Sequence, residues 1–148
     1  MWTTTASAES SAPPAAVWRR YVDVAAWRAW DDGIADSSLD GPFVAGARGR
    51  LRPAGGPALA FVLTDVEPER RFADRTPVPH PLVPLAFIEL EHRLQPTATG
   101  GTRITHTARI GGPLGWLAAR VFGPGFVQGL PATVRTLASH AAGEAAAA

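Results

Sequence analysis

Apolar and polar residues alternate along much of this chain, and the alternation gives way to helical spacing at both ends. Threonine-rich Met1 to Ser10 predicts a first strand. Ser11-Ala12-Pro13-Pro14 breaks it, and proline suits the first turn of a helix, where its missing N–H is not needed. Ala16, Val17 and Tyr21 then recur at helical spacing, so Pro14 to Tyr21 reads as a short helix. Asp23 is placed to cap a second one over Ala25 to Trp30. Strands are predicted at Ile34–Leu39, Ala47–Arg52, Leu59–Glu67 and Arg71–Thr76, each closed by glycine, proline or aspartate. Leu85–Gln95 and Thr102–Ile110 form a hairpin around Pro-Thr-Ala-Thr-Gly-Gly. Beyond Gly111-Gly112-Pro113, the residues Leu114, Leu117, Val121 and Phe122 share a helical face, continued by Phe126, Leu130, Val134 and Leu137. Gly123-Pro124-Gly125 is expected to interrupt this helix and Pro131 to bend it.

Six consecutive antiparallel strands leave one sheet face bare unless something covers it, and the only long amphipathic element is the terminal helix. The expectation is therefore an α+β domain, a curved antiparallel sheet wrapped around a long C-terminal helix. The element order is β-α-α-β6-α. One domain is expected over residues 1–142, with 143–148 a disordered alanine-rich tail.

Composition narrows the chemistry. The 148 residues include no cysteine, which excludes disulfides, thiolate catalysis and zinc-thiolate sites. All 14 basic residues are arginine, so Schiff-base chemistry and a P-loop lysine are excluded too. A formal net charge of +1 with scattered arginines argues against nucleic-acid binding. The arginines at 48, 50 and 52 share one strand parity and are expected on an outward polar face. The longest nearly unbroken apolar stretch, Pro81 to Ile88, is too short to span a bilayer, and no signal-peptide pattern opens the chain. A cytoplasmic protein with no membrane insertion, monomeric or homodimeric, is the expectation.

Strand parity places the candidate site. On Leu85–Gln95, Ala86, Ile88, Leu90, His92 and Leu94 should face inward, and Phe87, Glu89, Glu91 and Arg93 outward. On the partner strand, Ile104, His106, Ala108 and Ile110 share the inward face. If His92 pairs opposite His106, Leu94 sits opposite Ile104, and the two imidazoles are neighbours with Cβ atoms about 4.5–5.5 Å apart. Burial and mutual repulsion should then keep at least one neutral at pH 7. Such a pair either orients a ligand or moves protons, or it is a structural pair bonded to itself, to backbone or to water. Asp74 shares parity with Phe72 and joins the histidines if Phe72 points in; otherwise it lies outside beside Arg75. Two histidines and a carboxylate resemble an iron-binding set, but no metal-ligand spacing is present, and no metal or cofactor is expected. Of Trp27 and Trp30, three apart on one helix face, one should pack in the core and the other close an end of the cavity. Phe61 and Leu63 are expected on the sheet side and Trp116, Phe122 and Phe126 on the helix side. His80, in a proline-rich loop, is a gate or simply solvated, and His140 is expected to be solvated. The ligand-lining set is thus Trp30, Phe61, Leu63, Ile88, Leu90, His92, Ile104, His106, Trp116 and Phe122, with His92, His106 and Asp74 as catalytic candidates.

Several short stretches carry a resemblance. They are Ala12-Pro13-Pro14-Ala15-Ala16-Val17-Trp18, Asp23-Val24-Ala25-Ala26-Trp27-Arg28-Ala29-Trp30, Leu39-Asp40-Gly41-Pro42-Phe43 with Gly46, and Gly100-Gly101-Thr102-Arg103-Ile104-Thr105-His106, followed by Gly112-Pro113-Leu114 and Leu130-Pro131. In order and spacing the chain resembles the START-like, or helix-grip, superfamily, and most of all its polyketide cyclase/dehydrase-type branch. The resemblance implies a cavity between sheet and last helix that holds a small hydrophobic, aromatic or amphipathic molecule. It implies no single chemistry, because the superfamily includes aromatic polyketide cyclases, lipid and hormone carriers and members without assigned activity. Three readings follow: a small-molecule-binding protein, a cofactor-independent cyclase or dehydratase using the cavity His and Asp residues, and a lipid carrier.

Overall fold

In the computed structural model, which describes residues 1–78, 81 and 85–147, the elements follow the expected order. They are β1 (Trp2–Ser10), α1 (Pro14–Val22), a 3-10 helix (Val24–Ala29), β2 (Ile34–Asp40), β3 (Arg48–Pro53), β4 (Leu59–Glu67), β5 (Arg71–Pro77), β6 (Phe87–Pro96), β7 (Thr102–Gly111) and α2 (Gly115–Ala147). The seven strands form one antiparallel sheet in the order β1-β7-β6-β5-β4-β3-β2. Register shifts at Ile34/Asp36 and Leu63/Asp65 interrupt the ladder, as bulges do where a strand bends. The helix-grip arrangement is complete: α2 lies on β1 and β7, while α1 and the 3-10 helix close the neighbouring end. The second helix is a 3-10 helix, and Asp23 makes no side-chain capping bond to it.

Parity sorts the sheet as expected. Ile104, His106, Ala108 and Ile110 of β7 are all buried, as are Ala86, His92 and Leu94. The outer side carries arginine–carboxylate pairs, Arg75–Glu89 at 2.9 Å, Arg109–Glu89 at 3.5 Å and Arg71 with Asp65. The guanidinium of Arg75 also covers Phe87, 4.1 Å from its ring centroid.

Two expectations about the last helix are corrected. Gly123-Pro124-Gly125 does not interrupt it: Pro124, like Pro131, lies inside a helix that runs unbroken from Gly115 to Ala147. Tertiary packing outweighs the local signal: Ala118, Gly123, Leu130, Val134 and Leu137 are all buried on one side of the helix. Gly123 serves close approach, because a Cβ there would sit 3.0 Å from the Trp2 ring. Residues 143–147, expected as part of a disordered tail, are helical as well. Alanine is the strongest helix former, and Glu144 is tied to Arg20 of α1 at 2.5 Å.

Candidate functional site

The hairpin register is the expected one: His92 faces His106, and Leu94 faces Ile104. The two rings meet edge to face with centroids 4.5 Å apart. Phe72 of β5 stands opposite His92 in the ladder and stacks flat on its ring, 4.0 Å away with planes 5° apart. Its inward direction carries Asp74 inward with it, and the carboxyl lies 4.0 Å from His92 Nδ1. The outward alternative beside Arg75 is thereby excluded.

Sequence reasoning missed a fourth member. Tyr21, placed by α1, is fully buried, and its hydroxyl meets His106 Nε2 at 2.9 Å. A signal was present: Tyr21 is the only tyrosine, on the apolar face of a helix, and a buried tyrosine hydroxyl needs a partner. Around these four groups stand Trp18, Trp27, Trp30, Phe43 and Phe72, mostly in edge contacts. Trp27 and Trp30 are both buried, so neither closes an open end; Trp27 Nε1 donates to the Tyr21 carbonyl at 2.9 Å.

The electrostatics follow from burial. Desolvation lowers the pKa of His106 to about 3. His92 is pushed well below its usual value by burial first and by the neighbouring His106 second, while the Phe72 backbone, near the ring but outside full hydrogen-bond geometry, acts the other way. Both imidazoles are therefore neutral at pH 7. Burial, helped by Glu89, raises Asp74 to about 7. Tyr21 is raised above its usual value by burial. Four titratable groups thus meet in the core with little or no charge. Among the described residues, Nδ1 of His92 has no hydrogen-bond partner, an uncommon condition for a buried polar atom. No group of three His, Asp or Glu among them could hold a metal ion.

The Tyr21–His106 bond yields a direct expectation. Tyr21→Phe keeps the ring and leaves His106 Nε2 buried without its partner. It should cost about 1–3 kcal/mol in urea unfolding. A change below a few tenths of a kcal/mol would mean that the imidazole finds another partner.

The other expected lining residues divide. Phe61, Leu63 and Ile104 are core, at 4%, 0% and 0% exposure. Ile88 and Leu90 on the inner face of β6 stay half-buried and pair with Thr76 and Asp74. Phe122 and Phe126 of α2 are likewise half-buried and pack on the same side. Trp116 does not face the interior: it is 63% exposed and lines a cleft at the β1 edge. His140 is half-buried, 3.5 Å from Glu144, and His80 lies outside the described residues. No helix among the described residues is long and apolar enough to cross a membrane.

Solved structures share this architecture. A Mesorhizobium loti protein is 22% identical, with a TM-score of 0.73 over 93% of this chain and 95% of its own. A Nitrosomonas europaea protein is 20% identical, with a TM-score of 0.73 over 97% and 96%. The di-domain ARO/CYC protein BexL is 14% identical, with a TM-score of 0.68 over 94% of this chain and 46% of its own. These likenesses establish the fold. No curated protein matches the chain in sequence. Residues 1–142 match the family model described as polyketide cyclase / dehydrase and lipid transport, and the chain belongs to that family.

Proposed function

We propose that this protein binds one small hydrophobic or amphipathic molecule inside the grip, with the molecule's polar end at the Asp74–His92 corner. The observation that carries this reading is the unpartnered Nδ1 of His92, buried 4.0 Å from a buried carboxyl. A neutral imidazole nitrogen and an un-ionised acid can each donate to or accept from a ligand hydroxyl or carbonyl. The neighbouring surface suits the rest of such a ligand. Ile88 and Leu90 remain half-buried on the inner face of β6, whereas Ile104, Ala108 and Ile110 on β7 are wholly buried. The family description, which joins cyclases, dehydrases and lipid transport, fits a pocket that accepts apolar molecules.

A neutral fluorescent probe such as N-phenylnaphthylamine should bind saturably inside the grip. Leu90→Trp, which fills the inner face, should weaken it at least about tenfold, as expected for loss of a well-packed apolar contact. Equal binding by a folded Leu90→Trp protein would place the probe elsewhere and count against the reading.

One observation favours a second reading, proton transfer during an aldol-type cyclisation or a dehydration. A carboxyl of pKa about 7 next to a neutral imidazole is suited to exchange protons near neutral pH. BexL, an ARO/CYC protein, has the same fold. In this reading Asp74 protonates the departing or developing oxygen, while His92 accepts the proton from carbon. A lipid carrier would use the same pocket without chemistry. Binding retained but turnover lost in Asp74→Asn would favour catalysis, and equal turnover would remove Asp74 from it.

A further inference from the structure

A separate cleft of about 670 Å³ opens at the sheet's free edge, between β1 and the first turns of α2. Its walls are Met1, Trp2, Ile110, Trp116 and Ala119, its floor includes Gly111, Gly112 and Gly115, and Arg120 stands among them. The volume lies in the range usual for small-molecule sites. None of the interior polar groups, Tyr21, Asp74, His92 or His106, belongs to it.

We propose that this edge cleft is a second binding site, for a small apolar carboxylic acid. Three observations lead there. Trp116 leaves 63% of its surface exposed, a large apolar side chain at the rim of a concave surface. Arg120 makes no ion pair among the described residues, and no Asp or Glu lines the cleft, so the only formal side-chain charge facing it is positive. A guanidinium of this kind matches a carboxylate with two parallel hydrogen bonds. Behind the floor, outside the lining itself, Leu85 backs onto Gly112 and holds a left-handed conformation, φ 66°, while 76% exposed. Gly112, at φ 97°, admits the Leu85 carbonyl where any Cβ would overlap it. Backbone strain beside exposed apolar residues is found at binding sites more than at idle surface. An acid with an alkyl or aryl body satisfies both features, the body between the two tryptophans and the carboxylate on Arg120.

Calorimetric titration with octanoate and with octanol, on wild type, Arg120→Gln and Trp116→Ala, tests the site. Both positions are exposed, so both variants should fold. Octanoate should bind wild type at least about tenfold more tightly than octanol, the usual worth of a charged hydrogen bond. Arg120→Gln should abolish that preference, Trp116→Ala should weaken both ligands, and neither should alter binding of the neutral probe inside the grip. Repeating the titration in Leu90→Trp separates the two sites, since the octanoate preference should persist there. Equal affinity for acid and alcohol, or an unchanged preference in Arg120→Gln, overturns the proposal. So does binding to phosphatidylglycerol vesicles without binding of monomeric octanoate, which would make the cleft a membrane contact.

Discussion

Phe72→Ala should cost about 3–5 kcal/mol of folding stability, the usual range for deleting a buried aromatic ring. Phe72 is wholly buried and is the ring on which the interior site is assembled. It stacks on His92 at 4.0 Å and on Trp27 at 6.1 Å, and presents edges to Tyr21 at 4.9 Å and Phe43 at 5.1 Å. Those neighbours come from β6, from both short helices and from the loop after β2, so no single element can close the space by shifting. The urea midpoint should fall with the slope of the transition unchanged. The hole would also admit water beside His92 and bring its pKa back up towards the usual value. A loss under about 1 kcal/mol would show that the aromatic cluster repacks freely.

The second large effect is a gain. Asp74 keeps its proton in the folded protein up to about pH 7, whereas an ordinary aspartate gives it up near 3.8. Between those values the folded state holds a proton that the unfolded chain has lost. The stability this group confers at acid pH therefore declines as pH rises through the window, and the loss is complete above about 7. Asparagine stays neutral and avoids it. Asp74→Asn should match wild type near pH 4 and exceed it by roughly 2–4 kcal/mol at pH 8, since each pH unit between the unfolded and folded pKa values is worth about 1.4 kcal/mol. The histidines act in the opposite direction. His106, lowered from 6.5 to about 3, and His92, also lowered, stabilise the fold above about pH 6.5 and lose that contribution as pH falls. Between about pH 4 and 6.5 the histidines and the aspartate pull in opposite directions, so acidification costs wild type less than the histidines alone would cost it. Without the compensating carboxyl, Asp74→Asn should lose more stability per pH unit than wild type, the difference being about 1.4 kcal/mol. Equal slopes in denaturation series across this range would show that Asp74 is ionised in the folded protein.

Such a gain is what the proposed binding site would leave behind, its polar groups kept at the expense of stability. Tyr21, His106, His92 and Asp74 meet in a core otherwise built of aromatic rings, and the corner at His92 lacks a partner among the described residues.

Much of this was legible in the residues. Period-2 alternation on Leu85–Gln95 and Thr102–Ile110, with a glycine turn between them, set the inward faces and offered the His92–His106 register as one pairing, which the structure adopts. Asp74 could be tied to Phe72 by parity, but its side of the sheet depended on which way the strand faced, which no local signal states. Tyr21 reaches His106 across 85 positions, a contact that only the closed fold creates. The unbroken α2 was hidden for the opposite reason. Gly123-Pro124-Gly125 is a strong local breaker, and the helix continues through tertiary packing that no local signal shows, including Trp2 from the far end of the chain against Gly123. Trp116 faces outward because the helix presents Ala118, Leu130 and Val134 to the sheet, and the rotation of a long helix is set by packing summed over its length. How much space remains beneath the helix also depends on side-chain packing, which periodicity cannot count.

If the grip holds an amphipathic molecule by its polar end, a crystal structure of the protein as purified, never stripped of bound lipid or metabolite, should reveal it. Density for a small molecule is expected between Ile88 and Leu90 on one side and Phe122 and Phe126 on the other, with an oxygen within hydrogen-bond distance of His92 Nδ1. Side chains filling that space, with His92 Nδ1 closed directly onto Asp74, would refute it.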